Sequence, residues 1–142
     1  KDFITTCQQI DESVEAGAQA ILLIARILDQ KKLLKLIEHA HKKKIEPVVE
    51  IHHESEKNKI EKMPIKIIGI NNRNLENFHT DVMHAKNLLR SINHAPILMV
   101  ESGFSKSKDL KTYKRKTDAI LIGTALLTAK NPQKLLESFV NA

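Results

Sequence analysis

Cysteine is nearly missing from this chain. Cys7 stands alone among 142 residues, so neither a disulfide framework nor a paired-cysteine metal site can be built, and the thiol reads as free and inert. Aromatic residues are almost as scarce. Four Phe, one Tyr and no Trp leave little on which nucleic-acid bases could stack, so the net charge of +6 needs another explanation. Most of the lysines fall in "KKLLK", "HKKK", "EKNKIEK" and "KSKDLKTYKRK", interleaved with apolar residues at helical spacing. They read as solvated helix faces that leave only a general attraction for anionic substrates. Long apolar runs are absent too. The longest, "AILLIA" at 20–25, falls far short of the roughly 20 residues a membrane helix needs, and no signal-peptide core opens the chain. These features point to the cytosol, with neither nucleic acid nor membrane as partner. The chain starts at Lys rather than Met, and "KDFI" reads as the last residues of a strand, so a longer parent protein is expected.

What is present is a series of short Ile- and Val-rich runs: "AILLI" (20–24), "PVVEI" (47–51), "IKIIGI" (65–70), "PILMV" (96–100) and "AILIG" (119–123). They are nearly continuous rather than alternating, as in strands of a parallel sheet covered on both faces. Helical patterns lie between them. Leu33, Leu36, Ile37 and Ala40 share one helix face behind a capping Asp29, and Val82, Ala85, Leu89 and Ile92 share another. The last helix is expected to open at Asn131-Pro132 and to bury Leu135, Leu136 and Phe139. Strand and helix thus alternate about every 25 residues, as in right-handed βαβ units. A doubly wound open sheet usually announces a glycine-rich phosphate loop after its first strand, and none is present. A (β/α)8 barrel instead gathers chemistry at the carboxyl end of every strand.

The strand ends fit the barrel. After the apolar runs come "EIHHE", "INNRN", "ESGF" and "IGTA", polar and small residues arriving at the same end of strand after strand. Alternation turns Glu50 and Asn71 the same way as Val48 and Gly69, toward a barrel interior, with Val49 and Ile70 toward the helices. A buried carboxylate near a lysine and amides is a proton-transfer constellation. Two of the four glycines, Gly103 and Gly123, directly follow the last two strands beside hydroxyl residues. Backbone N–H groups can approach a phosphate closely there, helped by a short extra helix at 124–128. Adjacent His52 and His53 point to opposite faces and cannot readily hold one ion; they read as rim or surface histidines.

"KDFI", "VVEIH", "GINNRNL", "ESGF" and "DAILIGTALL", in this order and spacing, resemble the C-terminal part of indole-3-glycerol-phosphate synthase, a (β/α)8 TIM barrel of tryptophan biosynthesis. The similarity runs over essentially the whole chain. It implies that residues 1–142 supply the C-terminal five to six βα units of one barrel domain, from the end of the third strand onward, with strands 1 and 2 and most of strand 3 outside this chain. A glutamate and a second lysine that the family carries on its first strand, and its N-terminal helical extension, would then lie in that segment, the expected partner. By the resemblance Lys1 is the general acid of ring closure and Glu50 the base of dehydration and rearomatisation. Asn71 and Arg73 orient the substrate, and Glu101 positions the lysine or a sugar hydroxyl. Ser102, Gly103, Gly123 and Thr124 cradle the phosphate. The implied substrate is 1-(2-carboxyphenylamino)-1-deoxyribulose 5-phosphate, with no metal or cofactor required. Two other readings compete: an inactive fragment that serves only as a structural or complementing partner, and another ribulose-phosphate-binding barrel enzyme.

Overall fold

All five apolar runs become strands, because each is too short for a core helix and rich in β-branched residues. In the computed structural model, which describes residues 2–73, 80–81, 83–92, 97–114 and 116–142, they are β1 (Ala20–Ile24), β2 (Glu46–Ile51), β3 (Ile67–Asn71), β4 (Ile97–Glu101) and β5 (Ala119–Leu121). One sheet holds them in the order β1-β2-β3-β4-β5, and every neighbouring pair is parallel. A doubly wound sheet reverses its strand order at a switch point. This one never does, so each right-handed crossover lays its helix on the same side. The result is an arc of a (β/α)8 barrel made of five strands and their crossovers. Strand β5 stops two residues short of expectation because its pairing with β4 ends at Glu101↔Leu121.

Among the described residues six α-helices accompany the strands: α1 (Cys7–Glu15), α2 (Gln30–Lys42), α3 (Glu54–Ile60), α4 (His84–Leu89), α5 (Thr124–Thr128) and α6 (Pro132–Val140). Helix α1 begins with a capping box in which the Gln9 amide N–H donates to Thr6 Oγ1 and the Thr6 amide N–H to Gln9 Oε1, and it buries Ile10. Asp29 caps α2 through the amide of Lys32 at 2.8 Å, and Leu33, Leu36, Ile37 and Ala40 are all buried, as the helical spacing requires. Helix α4 is shorter than its apolar pattern. Asp81 Oδ1 accepts from the Met83 amide in a turn ahead of the helix, Ala85 and Leu89 are buried, and Ile92 packs half-buried beyond its end; Val82 lies outside the described residues. In α6 Asn131 caps the amide of Lys134, and Leu135 and Phe139 share the inward face. Leu136 does not join them. It is 48% exposed because it stands about 100° around the helix from Leu135, on the face of Val140.

Two further expectations change. Asp2–Ile4, from the "KDFI" read as a strand end, pair with no described strand and lead irregularly into α1. Lys59 is no solvated surface cation: its Nζ reaches back to donate to the carbonyls of Ala25 and Leu28 at 2.7 and 2.9 Å, closing the 3₁₀ turn Ala25–Ile27 that follows β1. Among the described residues no helix is long and apolar enough to cross a membrane.

The two sheet faces differ sharply. On the helix side Leu23, Val49, Ile70 and Val100 are fully buried; on the other, the row Val48, Ile67 and Ile97 set by the register is only partly covered, with Ile97 40% exposed. Replacing Ile70 by Ala is therefore expected to cost about 2–5 kcal/mol, and Ile97→Ala about 1 kcal/mol or less, in urea unfolding. Equal costs would contradict this assignment of faces.

Candidate active site at the carboxyl ends of the strands

Register and pleat decide which polar residues meet. Glu50 lies beside Gly69, and Asn71 beside Glu101, so all three side chains project from the face opposite the helices. All are buried. The lone glycine within β3 explains how two acids fit on this narrow strip. A Cβ added at Gly69 would collide with Glu101 Oε1 and lie 3.7 Å from Val48 Cγ1. Glu101 thus lays its carboxylate over bare β3 backbone, next to the position of Glu50, in space that a side chain at 69 would take from it. Alternation along the strand puts Gly69 on this face, and a single glycine inside an Ile-rich strand is the mark this close approach leaves in the sequence.

The amide cluster after β3 divides its labour. Asn71 lines the cleft, and its Oδ1 accepts from the Arg73 amide at 2.9 Å. Asn72 turns inward and is 2% exposed. Its Oδ1 accepts from the Ala85 amide at 3.0 Å and the Tyr113 hydroxyl at 3.2 Å, while its Nδ2 donates to the Ser102 carbonyl at 3.2 Å. Its own amide donates to the Glu101 carbonyl at 2.8 Å. One side chain therefore joins α4, the loop after β4 and the 3₁₀ segment Ser107–Thr112 whose following residue is Tyr113. Tyr113 packs edge-on against Phe104, ring centroids 5.6 Å apart, and burial pushes its hydroxyl pKa up. Arg73 bridges to Thr80 and also lines the cleft. Asn72 carries no mark in the sequence that separates it from its two neighbours; only the register does.

That cleft, about 530 Å³ in volume, is lined by Asn71, Arg73, Glu101, Ser102, Gly103, Gly123 and Thr124, among others. Ser102 and Gly103 are both left-handed, with φ of 68° and 89°. For Gly103 this is free; for Ser102 it is a conformation of the kind found at ligand-holding turns. Gly123 precedes α5, and a Cβ there would meet no protein atom within 4 Å. The two glycine turns and their hydroxyl neighbours thus face one open space, with room for an anion against backbone amides.

The histidine pair requires a correction. His53 is exposed, but His52 is 1% exposed, because it stands two residues after Glu50 and so shares that residue's face. Its Nε2 is 3.4 Å from Glu50 Oε1 and its Nδ1 3.7 Å from Glu56 Oε2. Glu56 in turn accepts from the His52 and His53 amides at 2.5 and 3.4 Å. Burial pushes the Glu56 carboxyl up, but the His52 ring and these amides together hold it below the ordinary value of 4.5. Lys1 lies outside the described residues.

Two expectations follow from this geometry. Gly69→Ala should displace Glu101 and cost about 1–3 kcal/mol in unfolding, and the double variant Gly69→Ala/Glu101→Gly should regain most of that cost; simple additivity of the two changes would show that residues 69 and 101 do not compete for space. Because the folded-state pKa of Glu56 is depressed, its contribution to stability is present above the ordinary glutamate value and lost as pH falls through the folded one. Urea midpoints followed from roughly pH 6 down to pH 3 should therefore fall less steeply in Glu56→Gln than in the parent chain.

Comparison with known proteins bears on the family of the chain. The family model described as indole-3-glycerol phosphate synthase matches residues 1–139. The indole-3-glycerol phosphate synthase of Pyrococcus furiosus is 41% identical over 145 residues, covering 100% of this chain and 63% of the relative; that of Lachnospira eligens is 37% identical, covering 98% and 54%. Among solved structures, 3-hexulose-6-phosphate synthase from Salmonella typhimurium superposes with a TM-score of 0.81 over 97% of this chain and 68% of its own, at 15% identity, a likeness of fold alone. This chain spans between half and two thirds of the length of the relatives named here. Because the family model takes in residues 1–139 of the 142, the chain belongs to the indole-3-glycerol phosphate synthase family.

Proposed function

We propose that this chain forms the larger part of an indole-3-glycerol-phosphate synthase, a cytosolic carboxy-lyase whose barrel is completed by an N-terminal segment of the same protein. The observation that carries the proposal is the burial of Glu50, Asn71 and Glu101 on one face at the ends of three adjacent strands, beside a cleft walled by two glycine turns. In the proposed reaction the substrate's ring carbon bearing the carboxylate attacks the ketone carbon, whose oxygen takes a proton, and the carboxylate leaves as carbon dioxide. The new hydroxyl then departs as water while a base removes the proton whose loss restores aromaticity, giving indole-3-glycerol phosphate.

Each role suits its side chain. Lys1, cationic at neutral pH, donates to the developing alkoxide; Glu50, shielded from water, accepts the proton lost on rearomatisation. Asn71 and Arg73 hold a substrate hydroxyl or carboxylate, and Glu101 orients the lysine or a sugar hydroxyl. The phosphate lies against the backbone of Ser102, Gly103, Gly123 and Thr124. A second reading, in which the 142 residues alone act only as a complementing fragment, is favoured by the exposed apolar side chains Ile97 and Leu121 on the inner face, which a completed barrel would cover.

Turnover is best measured on this chain alone and after adding the N-terminal segment of the Pyrococcus furiosus relative. Alone, turnover should be negligible, because displacing a catalytic group by about 1 Å can cost on the order of 100-fold; with the segment it should appear, and Glu50→Gln should lower kcat by orders of magnitude without weakening phosphate binding. Gly123→Val should abolish binding of inorganic phosphate by filling the open space. Full activity of Glu50→Gln in the completed barrel would refute the assignment of the base.

A further inference from the structure

We infer that Asn72 is a positioning residue for the phosphate: gripping the chain on both sides of Ser102, it holds the left-handed turn that aims the Gly103 amide at the cleft, and so sets the affinity for a phosphate group. The inference rests on the reading, proposed above, that this turn receives the phosphate.

The two dihedral angles of Ser102 set how the carbonyls of residues 101 and 102 stand to one another, and Asn72 holds both. Its backbone amide donates to the Glu101 carbonyl at 2.8 Å and its Nδ2 to the Ser102 carbonyl at 3.2 Å. Between these grips Ser102 has a φ of 68°, in a region that a Cβ disfavours by crowding the following carbonyl. Without them the serine favours other conformations. A trans peptide points its C=O and N–H in opposite directions, so the carbonyl drawn inward to buried Asn72 turns the Gly103 N–H outward, on the side where Ser102 and Gly103 line the cleft. The Ser102 amide is already taken by the Leu121 carbonyl at 3.4 Å. The Gly103 N–H donates to no acceptor among the described residues, which leaves it as the donor that this turn can offer an anion.

The chemistry of the post calls for an amide. Oδ1 accepts from the Ala85 amide at 3.0 Å and from the Tyr113 hydroxyl at 3.2 Å, so the other end of the same group has to donate if it is to meet the Ser102 carbonyl. A carboxylate would set oxygen against oxygen there. The anchors themselves are packed: Ala85 is buried in α4, and Tyr113 is buried with its ring edge-on to Phe104, the residue after Gly103. Asn72 thus carries the fixed position of core groups to a turn whose own sequence does not favour its shape.

Proton–nitrogen spectra of the 142-residue chain, titrated with inorganic phosphate, test the inference. In the parent the Gly103 amide and the Asn72 side-chain amide should shift together with one dissociation constant, because an anion on the N–H polarises the peptide and tightens the hydrogen bond to its carbonyl. Asn72→Ala should weaken phosphate by about 5- to 30-fold, the factor by which a side chain disfavours the left-handed region. In a Ser102→Gly background the same change should cost about 2-fold or less, since glycine keeps the turn unaided. Tyr113→Phe, which retains the ring against Phe104 and the bond from Asn72 to Ser102, should lower the urea midpoint yet leave the phosphate constant within about 2-fold. In the completed barrel Asn72→Ala should raise KM more than it lowers kcat. Unaltered phosphate binding in Asn72→Ala, or an equal loss in Tyr113→Phe, overturns the inference, the network then being structural only. If Asn72→Ala does not fold, the parent titration decides: a Gly103 shift that the Asn72 side chain does not follow overturns it. Phosphate that leaves the Gly103 amide unmoved in the parent refutes the phosphate site and the inference with it. Coupled shifts without turnover in the completed barrel refute the proposed reaction and leave the role of Asn72 standing.

Discussion

A parallel register offers each side chain only two directions, and at the ends of β2, β3 and β4 that choice is the constraint on which the rest depends. Leu23, Val49, Ile70 and Val100 are fully buried beneath the helices. A slip of one residue would exchange them for the other face, driving Glu50, Asn71 and Glu101 toward an apolar layer with no room for charge. The same packing that stabilises the chain therefore aims its acids. No separate device is needed to orient them, and the interior behind the helices cannot be rearranged without rearranging the chemistry.

Behind the strip of acids lies a layer that holds it still. Asn72 satisfies the amide of Ala85, the hydroxyl of Tyr113 and the carbonyl of Ser102 at once, so helix α4, the loop after β4 and the end of the 3₁₀ segment share one buried amide group. Buried polar networks of this kind are costly when incomplete and rigid when complete. On the other flank Lys59 closes the turn after β1 by donating to two carbonyls. Both devices use side chains from one βα unit to fix the loop of another, which keeps the rim in register although its loops are far apart in sequence.

Much of this was legible beforehand, and the failures have physical causes. The strands could be read because fully covered parallel strands leave near-continuous apolar runs, and the caps of α2 and α6 because Asp29 and the Asn131-Pro132 pair are chemically distinctive. Asn71 and Asn72 look alike in a string of letters; one lines the cleft and the other ties the rim together only because the pleat turns them opposite ways. His52 was misread because a histidine at a strand end is usually wet, and the acid that buries it, Glu56, comes from the following helix. Leu136 was misread because three apolar residues in one short helix need not share a face.

The fit of Glu101 over Gly69 also bears on how this sequence can change. While the carboxylate lies across bare backbone, a side chain at 69 must push it out of place; if the glutamate goes first, position 69 can fill without that conflict. Substitution at the two positions thus has an order. A lineage that drifts away from Glu101 and then gains a side chain on β3 would recover the acid by a single reversion only in a displaced position, so the original placement returns most readily when residue 69 reverts as well.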